Sequence, residues 1–570
     1  MKNQLLILLL LAFLFSCKEK KEPIVFEKKV SAVQDLVDHS KEFDTPQVIK
    51  VTEGVHVAVG FGLANSILIE GENGNIIVDC MESNETAEKV KAEFEKINNK
   101  PTKAIIYTHN HADHIFGAGV FVGDDNPDIY SHALTNYYID RLLNVVRPII
   151  GKRSYRMFGN KLDEDSHINC GIGLKLDADD NTNRSLVRPT KTFTDELEVT
   201  IEGVKIQMAH VPGETDDQLY VWMPEKKALL CGDNFYKSFP NLYTIRGTPY
   251  RDVKEWANSL DKMRYLQPEY LVPSHTKPLQ GKENIENVLR DYADAIRFVH
   301  DQTIQHLNLG LTPDEIAEKV VLPEHLSQSP YLQEFYGRVD WSVKNIFNGY
   351  LGWFDGNAST LLPLPKKEQA KKMAALAGGV NKLLENAENS LKSKEYQWAM
   401  ELTDYLLRLN PDDEKAQNIR YECLLNLGAQ QSNPNARNYF LSQALELKGE
   451  NMELKTKVTT KMTHQTPMAA IFNAMSVKTN VSKSIDYDKK AVFHFTDTDE
   501  RWTVQVRKGV TEIQPFELAD SDLTIKTTAP IWKEIVAKIR KPTVAIAKGD
   551  LKVEGGLRKF SEFMGMFSTD

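Results

Sequence analysis

The residues best suited to chemistry lie together in one short segment, residues 108–114 (THNHADH). The segment follows the apolar run KAIIY, which predicts a buried strand. Three histidines and one aspartate fall within six residues of a chain that has 14 histidines in all, so a chance cluster is improbable. In a strand-to-loop turn, this spacing can direct His109 and His111 toward one cation, and Asp113 and His114 toward its neighbour. Imidazole and carboxylate ligands on a borderline metal favour zinc, with iron or manganese as alternatives.

Elsewhere in the chain, polar residues again follow short apolar runs. Asp79 follows NIIV, Asp233 follows LLCG, and His275 follows YLVPS. Glu214 lies in a PGETD turn, with His210 four residues earlier as an alternative metal ligand. Functional side chains often lie where buried strands emerge at a sheet edge, so these residues are expected near the histidine cluster.

The HxHxDH motif and these later segments, in this order, resemble the metallo-β-lactamase superfamily. The resemblance implies an α/β fold, the αββα sandwich of that superfamily. Asp79 then matches a structural aspartate, Asp233 matches the aspartate that bridges two metal ions, and His275 matches the last histidine ligand. Glu214 stands where most members have the histidine of a Pro-Gly-His-Thr turn.

That glutamate and several further stretches resemble one branch of the superfamily, the linear alkylsulfatases. The matching stretches are RMFGN at residues 156–160, NLYTIRG at 241–247, WFDGN at 353–357 and LPLP at 362–365. Two features depart from the family pattern. The alkylsulfatases carry a second glutamate where this chain has Asp233, and their loop at Glu214 is one residue longer.

The resemblance implies a binuclear zinc site. Zinc would lower the pKa of a shared water from about 15.7 toward 7. Asp113 and Asp233 would be the catalytic carboxylates. The implied ligands of one zinc are His109, His111 and Glu214; those of the other are Asp113, His114 and His275; Asp233 would bridge the two.

The substrate contacts are predicted from side-chain chemistry. Arg246 is the expected sulfate anchor, because a guanidinium offers paired donors and keeps its charge beside a strongly acidic anion. Asn160 and Asn234 are weaker candidates as donors to the sulfate oxygens. The predicted reaction is hydrolysis of an alkyl sulfate to an alcohol and sulfate.

The pattern of the chain changes twice, which predicts several domains. After a tether and extension over residues 18–49, residues 50–300 alternate strand and helix patterns and form the predicted catalytic domain. Residues 301–460 have helical spacing, and strands return within residues 461–570. By the family resemblance, the second region is an all-α dimerisation domain that makes a homodimer. The third is a small α+β domain like sterol carrier proteins.

Residues 1–17 resemble a bacterial lipoprotein signal. Lys2 precedes an uncharged apolar run over residues 5–15, which is too short to span a bilayer and ends at Ser16-Cys17. Lipidation of Cys17 would place an exported protein on a membrane surface, on the periplasmic or outer side.

Composition limits the other functions. The net charge of -9, without a long basic block, gives no reason to expect nucleic-acid binding. The cysteines are widely spaced, so no disulfide framework is predicted. Two alternatives to alkyl sulfate hydrolysis remain. One is another binuclear hydrolase, acting on a phosphoester, lactone or thioester. The other is a non-catalytic surface lipoprotein that binds lipid.

Overall fold

The computed structural model describes residue 26, residues 29–453 and residues 459–567. The predicted signal segment and Cys17 lie outside the described residues. Within the described chain, no helix combines the length and the apolar character needed to cross a membrane.

Two sheets form the centre of the N-terminal half. The strands of the first sheet lie side by side in chain order: β1 Gln47–Thr52, β2 Val55–Val59, β3 Ser66–Glu70, β4 Asn75–Val78, β5 Thr102–Ile106, β6 Asp128–His132 and β7 Lys191–Phe193. The second sheet has the strands β8 Glu196–Ile201, β9 Val204–His210, β10 Leu219–Met223, β11 Ala228–Gly232, β12 Tyr270–Pro273 and β13 Leu279–Gln280, again as consecutive neighbours.

The two sheets pack face to face because side chains alternate along each strand. In β3, Ile67 and Ile69 point into a core shared with Met208 and Val221 of the second sheet. The intervening Leu68 points outward into a separate apolar cluster. Each sheet is therefore apolar on both faces, and each face must pack against another part of the protein.

Helices cover the two outer faces. Asn84–Ile97 packs on the first sheet through Ala87, Val90 and Phe94, which share a buried cluster with Leu68 and Ile77 of that sheet. Val253–Arg264 and Lys282–Asn308 cover the second sheet. The predicted αββα sandwich is confirmed. The long helix Lys282–Asn308 continues past the predicted domain boundary at residue 300.

Shorter helices complete the catalytic region, together with the longer helix Arg147–Phe158, which lies beside the site described below. The others are Gln34–His39, a 3-10 turn at Ser40–Glu42, Ala112–Ile115, Ala118–Val122, Thr135–Asp140 and a π-helical turn at Arg141–Val145.

The region after the sandwich is helical, as predicted. Its helices are Pro313–Lys319, Glu324–Ser327, Val339–Leu351, Ala358–Leu361, Lys366–Leu376, Val380–Lys392, Tyr396–Leu409, Glu414–Ala429 and Pro434–Leu447. The last of these packs against the helix Arg147–Phe158, where Arg156 makes a bidentate pair with Glu446 at 2.8 Å for both nitrogens. This contact holds the helical region against the catalytic domain.

The C-terminal domain has a sheet of its own, with the strand order β16-β15-β14-β17-β18. Its strands are β14 Asp488–Phe495, β15 Glu500–Arg507, β16 Val510–Gln514, β17 Leu523–Thr527 and β18 Lys552–Glu554. Its helices are Thr460–Gln465, Met468–Ser476, Val481–Ser484, Ala529–Val536, Pro542–Ala547 and Leu557–Gly565. Phe472, Phe493 and Trp532 are fully buried in its core.

Candidate metal centre

The histidine cluster begins at the carboxyl end of β5, between two parallel neighbours, β4 and β6. In the second sheet, β11 and β12 are also parallel, and Asp233 and His275 follow their carboxyl ends. Carboxyl ends of parallel strands meet at one edge of a sheet, which is where open α/β sheets commonly place their ligands. The same edge of both sheets therefore supplies the candidate ligands.

One group of possible ligands is formed by His109, His111 and Asp233, whose nearest donor atoms all lie within 4.8 Å of one another. His109 Nε2 is 2.9 Å from His111 Nδ1 and 3.5 Å from Asp233 Oδ2. These three side chains could hold one cation.

A second group is formed by Asp113, His114 and His275, again with donor atoms within 4.8 Å of one another. Asp113 Oδ2 is 3.6 Å from His114 Nε2 and 3.5 Å from His275 Nε2. Asp233 Oδ2 also approaches these two nitrogens, at 3.3 Å and 3.2 Å. One carboxylate oxygen thus faces both groups, which is the arrangement required of a bridging ligand.

Partners outside the cluster set the proton positions on three of the histidines. His114 Nδ1 lies 2.8 Å from Asp79 Oδ2, and His275 Nδ1 lies 2.9 Å from the carbonyl oxygen of Leu63. Both oxygens can only accept, so both Nδ1 atoms carry the proton. The Thr108 hydroxyl donates to Asp79 and therefore accepts from His109 Nδ1 at 3.0 Å. Each of these rings then presents the lone pair of Nε2 to the cluster, as a metal ligand must.

Asp79 holds this arrangement together. Besides His114 Nδ1, its carboxylate accepts from the backbone N–H of Thr108 at 2.9 Å and from the hydroxyl groups of Thr108 and Ser274, both at 2.8 Å. Asp79 itself follows β4 with a φ of 59°, in the left-handed region. A structural rather than a ligating position agrees with the expectation for this aspartate.

The cluster has the unsatisfied atoms that a cation would complete. Among the described residues, His114 Nε2, Asp233 Oδ1 and Glu214 Oε2 are buried without a hydrogen-bond partner. Buried polar atoms of this kind are costly unless something pairs with them. Burial acts to raise the pKa of Asp233, but the imidazoles of His275, His114 and His109 hold that pKa well below its usual range. The donor set fits divalent metal ions.

The structure separates the two alternatives for the remaining ligand. Glu214 is buried within electrostatic reach of Asp233 and His275, although it lies outside both close groups. Its Oε1 accepts from Arg251 Nη2 at 3.2 Å. His210 is occupied elsewhere, because its ring stacks on His132 at 4.0 Å and its Nε2 lies 2.6 Å from the carbonyl oxygen of Asp216. Glu214 is thus the better placed of the two.

Arg246 lies beside the cluster, with Nη2 3.0 Å from His111 Nε2. Arg251 is a second arginine in the same region; it is buried, and the sequence analysis did not single it out. The signal in the sequence that could have identified Arg251 is its position five residues after Arg246. Its pairing with Glu214 depends on a contact between residues 37 positions apart, which the sequence does not reveal.

The two asparagines predicted as sulfate donors have other partners. Asn160 donates through Nδ2 to the carbonyl oxygens of Leu176 and Ala178, at 2.8 Å and 3.3 Å. Asn234 donates to the carbonyl oxygen of Val211 at 2.8 Å and accepts from the backbone N–H of Glu214 at 3.3 Å. Both amides hold backbone in place, and their role as donors to the sulfate oxygens stays a prediction.

Several cavities open beside the cluster, and two of them share part of their lining. The inner cavity, of about 90 Å³, is lined by His111, Asp113, Asp233 and Arg246 together with apolar side chains. The outer cavity, of about 360 Å³, lies between the catalytic and C-terminal domains. The two share the lining residues Ala112, Leu142, Ile150, Ser154 and Leu176. An elongated apolar chain could therefore extend from the metal centre toward the C-terminal domain.

Three family models match the chain. They are the metallo-beta-lactamase superfamily over residues 59–275, alkyl sulfatase dimerisation over residues 312–450 and alkyl sulfatase C-terminal over residues 456–570.

Individual proteins match over most of their length. A linear primary-alkylsulfatase of Pseudomonas sp. is 37% identical over 528 residues, which are 88% of this chain and 98% of that protein. An alkyl/aryl-sulfatase of Saccharomyces cerevisiae is 29% identical, over 90% of this chain and 82% of that protein. The solved structure of a stereoselective inverting sec-alkylsulfatase from Pseudomonas sp. has a TM-score of 0.88 at 24% identity, over 95% of this chain and 88% of the other. The last match shows the shared fold alone. Together these findings confirm the predicted resemblance.

Replacing Asp79 by asparagine tests the role of the carboxylate behind His114. Asparagine can present an N–H to His114 Nδ1, which disfavours the ring form that offers Nε2 as a ligand. We expect the affinity for zinc to fall by about 10- to 100-fold, measured by competition with a chromophoric chelator. The exposed Asp195→Asn substitution is the control, and zinc affinity equal to that of the control would contradict the assignment.

Proposed function

Since this chain belongs to the alkylsulfatase family and is a sulfuric ester hydrolase of the metallo-beta-lactamase superfamily, we propose that its reaction is zinc-dependent hydrolysis of alkyl sulfates to alcohol and sulfate. The observation that supports this most strongly is the position of Asp233, whose Oδ2 faces both groups of candidate ligands. Arg246, the one arginine that lines the inner cavity, shares that cavity with Asp233.

The proposed ligands combine the two close groups of side chains with Glu214, which is added from the family resemblance. His109, His111 and Glu214 would hold one zinc ion, and Asp113, His114 and His275 would hold the other. Asp233 would contact both. When bound, two zinc ions supply Lewis acidity that polarises the ester and lowers the pKa of water from about 15.7 toward 7.

Arg246 is the proposed sulfate anchor. A guanidinium has five N–H donors, and the described contact of Arg246 with His111 engages one nitrogen. The remaining donors can bind two sulfate oxygens at once, and the charge of Arg246 offsets that of the ester. Burial strengthens this attraction, because the surrounding protein screens less than water does.

The apolar walls support an alkyl chain as the other half of the substrate. Phe158, Ile172 and Leu176 line the inner cavity, and Leu142 and Ile150 line both cavities. Burial of apolar surface contributes roughly 25 cal/mol per Å², so a longer chain should bind more tightly until the cavity is filled.

Replacing Arg246 by methionine keeps most of the side-chain volume and removes every donor. We expect kcat/KM for dodecyl sulfate to fall roughly 10²-fold or more, because a preorganised donor to the reacting group is lost. Bound zinc, measured by mass spectrometry of the purified protein, should stay at the wild-type level.

The matched control is Arg264→Met, which removes an arginine from the outer helix Val253–Arg264 and should keep wild-type kinetics. Wild-type kinetics in the Arg246→Met protein would end the assignment of Arg246. If the wild type and both arginine variants release no sulfate, the sulfatase proposal is wrong, and phosphoesters and lactones become the substrates to test.

A homodimer is proposed from the match to the alkyl sulfatase dimerisation model. Within that region, several large apolar side chains over residues 350–364 are exposed, including Trp353 at 74% and Leu362 at 89%. Contiguous exposed apolar side chains commonly mark a protein interface.

We therefore expect a protein with both Trp353→Asp and Leu362→Asp to be monomeric, since two buried charges in a dimer contact cost several kcal/mol. Light scattering after size exclusion gives the mass, which should be that of two chains for the wild type. Leu557→Asp, at an exposed leucine of the C-terminal domain, is the control. A double variant that keeps the wild-type mass would rule out this surface.

Export and lipid attachment at Cys17 are proposed from the sequence motif alone. Attached acyl chains should hold the protein on the membrane surface. We expect the wild type to need detergent for extraction, and the Cys17→Ser protein to show no incorporation of labelled fatty acid. Equal labelling of the two proteins would contradict the proposal.

A further inference from the structure

The outer cavity carries more positive charge than an alkyl chain requires. Arg147, Arg184 and Arg188 line it from the catalytic domain, and Lys478 and Lys533 line it from the C-terminal domain. Arg188 is paired with Asp140. Glu82 is the acidic residue of the lining, and burial raises its pKa to about 8, so it is mostly uncharged at neutral pH.

Arg184 is the most unusual of these residues. It is 7% exposed, and neither of its Nη atoms has a hydrogen-bond partner among the described residues. The backbone directly after Arg184 is fixed, because Ser185 N donates to the carbonyl oxygen of Phe116 at 2.7 Å and the carbonyl oxygen of Ser185 accepts from Gly119 N at 2.8 Å. A desolvated guanidinium held in this way lacks the partner that buried charges normally have.

A second donor without a partner among the described residues lines the same cavity. The Tyr155 hydroxyl is buried and has no partner in the described chain, and Tyr155 also lines the outer cavity. Burial raises the pKa of Tyr155, whereas the Arg184 guanidinium acts to lower it, which places the two groups within electrostatic reach. A guanidinium and a phenol together form a donor set suited to an oxyanion.

The nearby charges do not satisfy Arg184. Arg147 lies close enough to repel it. Asp177, Asp179 and Glu85 lie within electrostatic reach, but each accepts hydrogen bonds from other groups. Asp177 binds the Ser83 hydroxyl, Asp179 binds the backbone N–H groups of Asn181 and Thr182, and Glu85 binds Asn183.

We propose that the outer cavity is a second anion-binding site, which holds a carboxylate or sulfate group carried on an aliphatic chain. Arg184 and the Tyr155 hydroxyl donate to the anionic group, and apolar residues of both domains, among them Leu143, Leu186, Ile471 and Val536, surround the chain. Because the two cavities share part of their lining, the group is either the far end of a substrate or the head of a second amphiphile.

Calorimetry on the full chain tests the site without any turnover. Dodecanoate and dodecan-1-ol have chains of equal length and differ in charge. We expect dodecanoate to bind the wild type at least about tenfold more tightly, the lower range for hydrogen bonds to a charged group. This preference should disappear in Arg184→Met and weaken in Tyr155→Phe.

Equal binding of the two probes to the wild type would overturn the proposal. So would a preference that survives in Arg184→Met and is lost in Arg246→Met, because the carboxylate would then lie at the metal centre. Thermal unfolding checks that Arg184 is not simply structural. Removing an unpaired buried charge should leave the melting temperature unchanged or raise it, and a clear decrease would favour a structural role.

Kinetics distinguish the two sources of the anion, and this arm rests on the proposed sulfatase function. If one chain spans both cavities, ω-carboxyundecyl sulfate should have a higher kcat/KM than dodecyl sulfate. The ratio of these two kcat/KM values should fall about tenfold or more in Arg184→Met. If a separate amphiphile occupies the site, the ratio stays near one while dodecanoate binding still depends on Arg184. If neither ester is hydrolysed, the sulfatase proposal fails, but calorimetry still tests the proposed second anion-binding site.

Discussion

The buried carboxylate of Asp79 is the contact on which the candidate site depends. It accepts hydrogen bonds from Thr108 after β5, from Ser274 after β12 and from His114. It thereby joins the functional edges of both sheets at one point. A buried carboxylate needs such donors to be tolerated, and here the donors are the residues that precede or form the metal ligands. The positive φ of Asp79 directs the chain into this position at a cost that the four contacts offset.

The rest of the molecule extends this arrangement outward. Parallel strands deliver the ligands to one edge, and Asp233 faces both groups from the second sheet. The helix Arg147–Phe158 lines both cavities and also contacts the helical region through Arg156 and Glu446. The C-terminal domain then closes the outer cavity. The candidate metal centre, the proposed route of the alkyl chain and the proposed second anion site therefore share lining residues.

Much of this could be predicted from the sequence, since a ligand cluster within six residues and apolar runs ending in Asp or His are local signals. The local sequence could not decide whether Glu214 or His210 is the better placed metal ligand. That choice depends on the stacking of His210 on His132 and on the pairing of Glu214 with Arg251. For the same reason the backbone partners of Asn160 and Asn234 could not be predicted from the sequence. Arg184 has no motif, because its importance comes from burial between domains.

The most direct test of the central claim is a zinc titration of the metal-free protein lacking residues 1–17, with sulfate release from dodecyl sulfate as the readout. The account predicts that release rises with added zinc and reaches a plateau at two zinc ions per chain. The same titration of the Asp233→Ala protein should give neither the plateau nor the stoichiometry. Full activity without zinc, or two tightly bound zinc ions in the Asp233→Ala protein, would contradict a binuclear centre bridged by this carboxylate.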